Sequence, residues 1–76
     1  MAIKLLTFGQ ITEITGQSES TVNAMDSDAL KAQLIMQFPG LKDLQFAIAV
    51  NKYVINENTG LKDGDTVALL PPFSGG

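Results

Sequence analysis

Apolar and polar positions alternate or cluster in short runs along this chain, and the runs are separated by turn residues. Ile3 to Phe8 is apolar but for Lys4 and Thr7 and is closed by Gly9, the pattern of a short strand bounded by a turn. Gln10 to Thr15 places Ile11 and Ile14 at i and i+3, which predicts one or two helical turns before Gly16. Glu19 to Ala24, rich in Ser, Thr and Val, alternates weakly and is expected to pair back on the first strand. Asp26, Ser27 and Asp28 are three candidate N-caps in a row, with side-chain oxygens able to accept from free N–H groups and charge suited to a helix N-terminus. The following segment carries Leu30, Leu34 and Phe38 at i, i+4 and i+8 with Ile35 beside them, a core-facing helical stripe ended by Pro39-Gly40. Met36 falls off that stripe, with no packing partner implied.

The second half reads as strands. Phe46 to Val50 and Tyr53 to Ile55 flank Asn51-Lys52, a tight-turn signal, and Asn56 to Gly60 is a polar loop. Lys62-Asp63-Gly64-Asp65 is a further turn, and Thr66 to Leu70 is a last strand stopped by Pro71-Pro72, since proline cannot donate to a ladder. Two strands, one main helix and then more strands point to an α+β class. The arrangement that fits best is a mixed sheet wrapped on one helix, the ubiquitin-like β-grasp. Residues 1–70 would form that domain and 71–76 a flexible tail.

Composition narrows the chemistry. The chain has 76 residues, enough for one small domain, and 45% of them are apolar. It contains no Cys, His, Trp or Arg, so disulfides, thiolate or imidazole catalysis and the usual zinc ligand sets are excluded. No metal site and no bound cofactor are expected. Five Lys against eight acidic residues give a net charge of −3 with no run of one sign. That argues against nucleic acid and against a polybasic membrane anchor. Met1-Ala2-Ile3-Lys4 lacks the features of a signal peptide and no apolar run reaches membrane-spanning length, so a cytoplasmic protein is expected. Asp63 and Asp65 invite a paired-carboxylate reading, but flanking Gly64 in a turn they read as solvated turn residues.

The most informative segment is Pro71-Pro72-Phe73-Ser74-Gly75-Gly76. A closing Gly-Gly has a chance frequency of about 0.5% when Gly is about 7% of residues, and a frayed end would also account for it. Its place directly behind a strand and two prolines favours a working tail. Pro71 and Pro72 fix φ and favour an extended exit, and six extended residues reach about 20 Å. Gly75 and Gly76 have no Cβ and can pass a constriction that side chains would block. A terminal carboxylate, with a pKa near 3.3–3.7, is roughly 99.9% ionised at pH 7 and must be activated before a nucleophile attacks it. The chain has no phosphate-binding glycine loop of its own, so a second protein would perform that ATP chemistry. This is the design of a carrier.

Taken together, Ile3-Lys4-Leu5-Leu6, Phe8, Ala49-Val50-Asn51, Leu61 to Ala68 and the Pro-Pro-Phe-Ser-Gly-Gly ending resemble the ubiquitin-like sulfur carriers, and among them the molybdopterin synthase small subunits. The similarity runs over the whole chain; its specific part is the last sixteen residues, whereas residues 17–45 are unspecific. The resemblance implies that an activating enzyme uses ATP to adenylate Gly76, and that sulfur then replaces AMP to give a thiocarboxylate. It also implies docking on a synthase large subunit, as in a heterotetramer, with Gly75 and Gly76 entering that subunit's active site. There the sulfur would pass to a cyclic pyranopterin monophosphate in molybdenum cofactor biosynthesis. The chain itself would be the non-catalytic donor subunit.

Partner contacts would come from the exposed sheet face and the tail: Phe8, Val54, Leu70, Pro71, Pro72, Phe73 and Ser74. Alternation partly supports this, for if Ile3, Leu5, Val67 and Leu69 face the helix, then Leu6, Phe8, Ala68 and Leu70 face outward. An apolar outer cluster suggests a partner site, unless a neighbouring loop covers it. Burying one such side chain contributes about 1.5–3 kcal/mol. Rival readings are a carrier for thiazole biosynthesis, a protein modifier joined to lysine through Gly76, and a plain β-grasp interaction module. The double proline favours the molybdopterin type.

Overall fold

The computed structural model describes residues 2–71. Five strands and two α-helices follow in the order β1 (Ala2–Thr7), α1 (Gln10–Thr15), β2 (Glu19–Asn23), α2 (Ser27–Gln37), β3 (Ala47–Val50), β4 (Tyr53–Ile55) and β5 (Thr66–Leu70), with a 3-10 turn at Pro39–Leu41 after α2. The sheet order is β2-β1-β5-β3-β4. β1 and β5 are parallel at the centre and every other pair is antiparallel. With α2 supplying the main helix packed into the core, this is the mixed sheet of a ubiquitin-like β-grasp.

Alternation divides the sheet as the sequence suggests. Ile3, Leu5, Val67 and Leu69 are buried on one face with Leu30 and Leu34 of α2, and Ile11, Ala24, Leu41, Val50 and Leu61 complete the core. Phe38, read as the end of the helical stripe, is only partly buried and caps α2 by donating its N–H to the Leu34 carbonyl at 2.7 Å. Leu41, which carries no periodic signal, is fully buried by the 3-10 turn. Met36, which falls off the helical stripe, is 84% exposed.

Polar side chains hold the connections. Of the three candidate caps Asp26 is the N-cap, accepting from the Ala29 N–H at 2.7 Å. Ser27 is used differently. Its buried hydroxyl accepts from the Thr59 N–H at 2.8 Å, and Asn58 Oδ1 accepts from the Asp28 N–H at 2.9 Å, so the 56–60 loop is tied to the start of α2. Buried Thr7 is satisfied by donating its hydroxyl to the Gln17 carbonyl at 2.6 Å.

The β3–β4 turn is tight, with Asn51 at φ 50° and Lys52 at φ 77°. Both φ values are left-handed, as a two-residue hairpin matched to the sheet twist requires. Asn51 also reaches across to the neighbouring turn. Its Nδ2 donates to Asp65 Oδ1 at 3.0 Å, and its Oδ1 accepts from the Thr66 N–H at 3.0 Å. Asp65 Oδ2 accepts from the Lys62 N–H at 2.9 Å, while Asp63 Oδ1 accepts from the Ala2 N–H at 2.8 Å. The two aspartates are therefore turn residues whose carboxylates also hold neighbouring backbone and side-chain groups.

Candidate functional site

The outer face of the sheet carries the candidate site. Register places Leu6 beside Ala68, Ala68 beside Ala49, and Ala49 beside Val54, one row across β1, β5, β3 and β4. Ala68 and Ala49 at the middle of the row offer only a methyl group each, so the face is hollow there. Leu6, Phe8, Val54 and Leu70 stand around that floor, with Thr66, Asn51 and Lys52 closing one side, and the depression measures about 460 Å³. Phe8 is 46% exposed and Val54 57%, whereas Ala49 is buried at 5% without joining the core cluster.

Three predicted contact residues, Phe8, Val54 and Leu70, thus come together on one depression. One detail differs. Phe8 is not on the first strand, because β1 ends at Thr7 and the chain then turns through Gly9 into α1. Phe8 still lines the rim, and its carbonyl accepts from the Ile11 N–H at 3.1 Å. β3 likewise begins at Ala47, one residue later than expected, and β2 ends at Asn23 rather than Ala24. Phe46, released from the strand, packs partly buried with the Lys31 ammonium 5.7 Å from its ring centroid.

Pro71 follows β5 directly and does not line the outer depression. It is half-buried against Gly9, where an added Cβ would lie 3.4 Å from Pro71 Cγ. Gly9 has φ 55° and ψ −128°, backbone that favours glycine. The base of the tail therefore rests on the β1–α1 turn, next to Phe8 on the rim. Pro72, Phe73, Ser74, Gly75 and Gly76 lie outside the described residues.

Among the residues lining the depression Lys52 alone is charged. The Lys4–Glu19 pair at 3.6 Å is exposed on both sides and contributes little. Hydrogen bonds from the Asn51 side chain and then the Lys62 backbone hold the Asp65 carboxyl below its usual pKa. Among the described residues no three His, Cys, Asp or Glu side chains are grouped to hold a metal ion, and no helix is long and apolar enough to cross a membrane. Sequence reasoning named Leu6 and Ala68 as outward but missed Ala49 and the Asn51–Lys52 wall. Counting back from Val50, an inward residue, would have found Ala49.

The whole chain has relatives. The ThiS family model matches residues 5–76. A molybdopterin synthase sulfur carrier subunit of Chlamydomonas reinhardtii is 37% identical, with all of both chains covered. One from Escherichia coli K12 is 34% identical over 97% of this chain and 99% of its own. Among solved structures, the complex of subunits 1 and 2 of the molybdopterin-converting factor from Helicobacter pylori contains a chain 38% identical, fully covered on both sides, with a TM-score of 0.76. On these matches the chain belongs to the ThiS family, with the molybdopterin synthase sulfur carrier subunits.

Proposed function

We propose that this chain is the sulfur-carrying subunit of a molybdopterin synthase, a non-catalytic donor that works through the carboxylate of Gly76. The observation that carries the reading is end-to-end similarity to sulfur carrier subunits, with the family match running through residue 76. The outer depression supports it, because an apolar hollow on the sheet face stands beside the point where the tail leaves the domain. A partner seated on Phe8, Val54 and Leu70 would have Pro71 at its margin.

The chemistry then divides between proteins. An activating enzyme supplies ATP; a Gly76 carboxylate oxygen attacks the α-phosphate, pyrophosphate leaves, and a sulfur nucleophile displaces AMP to form the thiocarboxylate. The loaded carrier docks on the synthase large subunit, and Pro72, Phe73 and Ser74 line the tail's path while Gly75 lets the end reach the cyclic pyranopterin substrate. The Helicobacter pylori relative, solved as a complex of subunits 1 and 2, supports a large-subunit partner. What this chain itself contributes is placement: a rigid domain, a docking hollow and a carboxylate within reach.

The test is purification from native cells through a tag on the N-terminus, with intact mass measured and companions identified. A sulfur-for-oxygen mass increase together with a synthase large subunit is the expected result. The same mass change with a thiazole synthase would move the protein to the rival pathway, and an unmodified chain with neither partner would refute the carrier reading.

A further inference from the structure

β2 is an edge strand, and its hydrogen-bonding direction can be worked out residue by residue. The Thr7 N–H donates to the Ser18 carbonyl at 3.0 Å, so Thr7 and Ser18 form a directly bonded antiparallel pair. Bonded pairs alternate along an antiparallel ladder. With Leu5 opposite Ser20 and Ile3 opposite Val22, Ser20 and Val22 direct their backbone groups toward β1. Glu19, Thr21 and Asn23 therefore direct theirs away from the sheet, and no partner for these groups exists among the described residues.

Such an edge normally carries a device against pairing: a proline, charged side chains (lysine above all), a bulge or brevity. The opposite edge, β4, has brevity, with three residues. β2 is five residues long, reads Glu-Ser-Thr-Val-Asn, and keeps an unbroken register with β1. On the helix side of this edge runs a groove of about 440 Å³ whose lining, including Ser20, Val22, Gln33, Gln37 and Phe38, holds no charged side chain. Glu19, exposed and 3.6 Å from Lys4, is the one charged side chain of β2 and stands at its first position, so the rest of the edge presents no charge to be desolvated.

We infer that β2 pairs with β2 of a second copy of this chain, antiparallel about a two-fold axis at Thr21. In that register Thr21 faces Thr21 of the other copy, Glu19 faces Asn23, and Ser20 faces Val22. All three outward-directed residues then form bonded pairs, six hydrogen bonds in all by the alternation rule. The register also has favourable side chains, since Thr–Thr is a good cross-strand pair and Glu19 meets an amide instead of another carboxylate. A shift that centred the axis on Glu19 would oppose two carboxylates and shorten the overlap. The two-fold pairing is isologous and closes at a dimer, because each copy uses the one long free edge among its described residues.

The dimer leaves the outer depression open, since the Ala49–Ala68 floor lies on β3 and β5, beyond β1 from the paired edge. β5 runs antiparallel to β2, and β2 runs antiparallel to its copy, so the two β5 strands end on opposite sides of the dimer. Two docking faces can thus be occupied at once.

The experiment is sedimentation equilibrium of the full chain up to about 1 mM, the weak end of specific association, with amide hydrogen exchange at both ends of the range. The expected result is a monomer–dimer equilibrium in which the Glu19, Thr21 and Asn23 amides gain protection with concentration, while Ser20 and Val22 are protected throughout. Thr21→Pro, which removes an outward N–H at an edge position that tolerates proline, should weaken the dimer at least about tenfold. Asn23→Lys should tighten it and Asn23→Glu weaken it, each by roughly 2- to 30-fold for two charge pairs per dimer. A monomer at every concentration would overturn the inference. So would a dimer that leaves those three amides unprotected, or one abolished by Ala68→Glu but not by the β2 variants.

Discussion

Asn51 joins the two turns that wall the outer depression, and its removal has a calculable effect. In Asn51→Ala two side-chain hydrogen bonds are lost, the one given to Asp65 Oδ1 and the one received from the Thr66 N–H, both 3.0 Å. Each contributes about 0.5–1.5 kcal/mol, and the lower half of that range applies because the site is exposed. Alanine at φ 50° adds roughly 0.5–1 kcal/mol, since Asn tolerates left-handed backbone better than Ala does. The sum is about 2 kcal/mol. For a domain of this size that lowers Tm by about 8–16 °C. Urea unfolding should show a lower midpoint with an unchanged slope.

The loss should also depend on pH. Asn51 is the larger cause of the lowered Asp65 pKa, ahead of the Lys62 N–H. A carboxyl whose folded pKa lies below its unfolded value stabilises the fold above the unfolded pKa, and that stability is lost as pH falls through the folded pKa. The gap between wild type and Asn51→Ala should therefore be full at neutral pH and narrow below about pH 4. A loss under about 0.5 kcal/mol, or one independent of pH, would refute the role given to this side chain.

Two further predictions concern the site. Gly9→Ala places a methyl group 3.4 Å from Pro71 Cγ on backbone at φ 55°, and should cost about 1–3 kcal/mol in thermal or urea unfolding. Ala68→Glu sets a charge on the half-exposed floor of the depression and should leave the melting temperature nearly unchanged while weakening binding of the large subunit at least about tenfold by calorimetry; unaltered affinity would remove the depression as the docking surface.

Much of this was legible from the chain because the strands are short and their alternation is clear. Ile3 and Leu5 against Leu6, and Val67 and Leu69 against Ala68 and Leu70, fix which way each side of the sheet faces. The Gly16 helix end and the Asn51-Lys52 turn were equally readable, since each needs left-handed backbone. Other features depend on contacts distant in sequence. The Asn51–Asp65 bond spans fourteen positions, and the tie between Ser27 and Thr59 spans thirty-two. Leu41 has no periodic neighbours, so its burial follows only from where the 3-10 turn puts it. Alanine fits either face, which hid Ala49. That β2 lies at an edge is a property of strand order, not of its own five residues.

The central claim is that the end of the tail carries the sulfur while the folded domain places it. The most direct measurement compares the full chain with one lacking Gly76 in a reconstituted reaction with activating enzyme, ATP, a sulfur source, large subunit and cyclic pyranopterin. The truncated chain should unfold at the same temperature, bind the large subunit through the outer face, and transfer no sulfur. Sulfur transfer by the truncated chain would contradict the account.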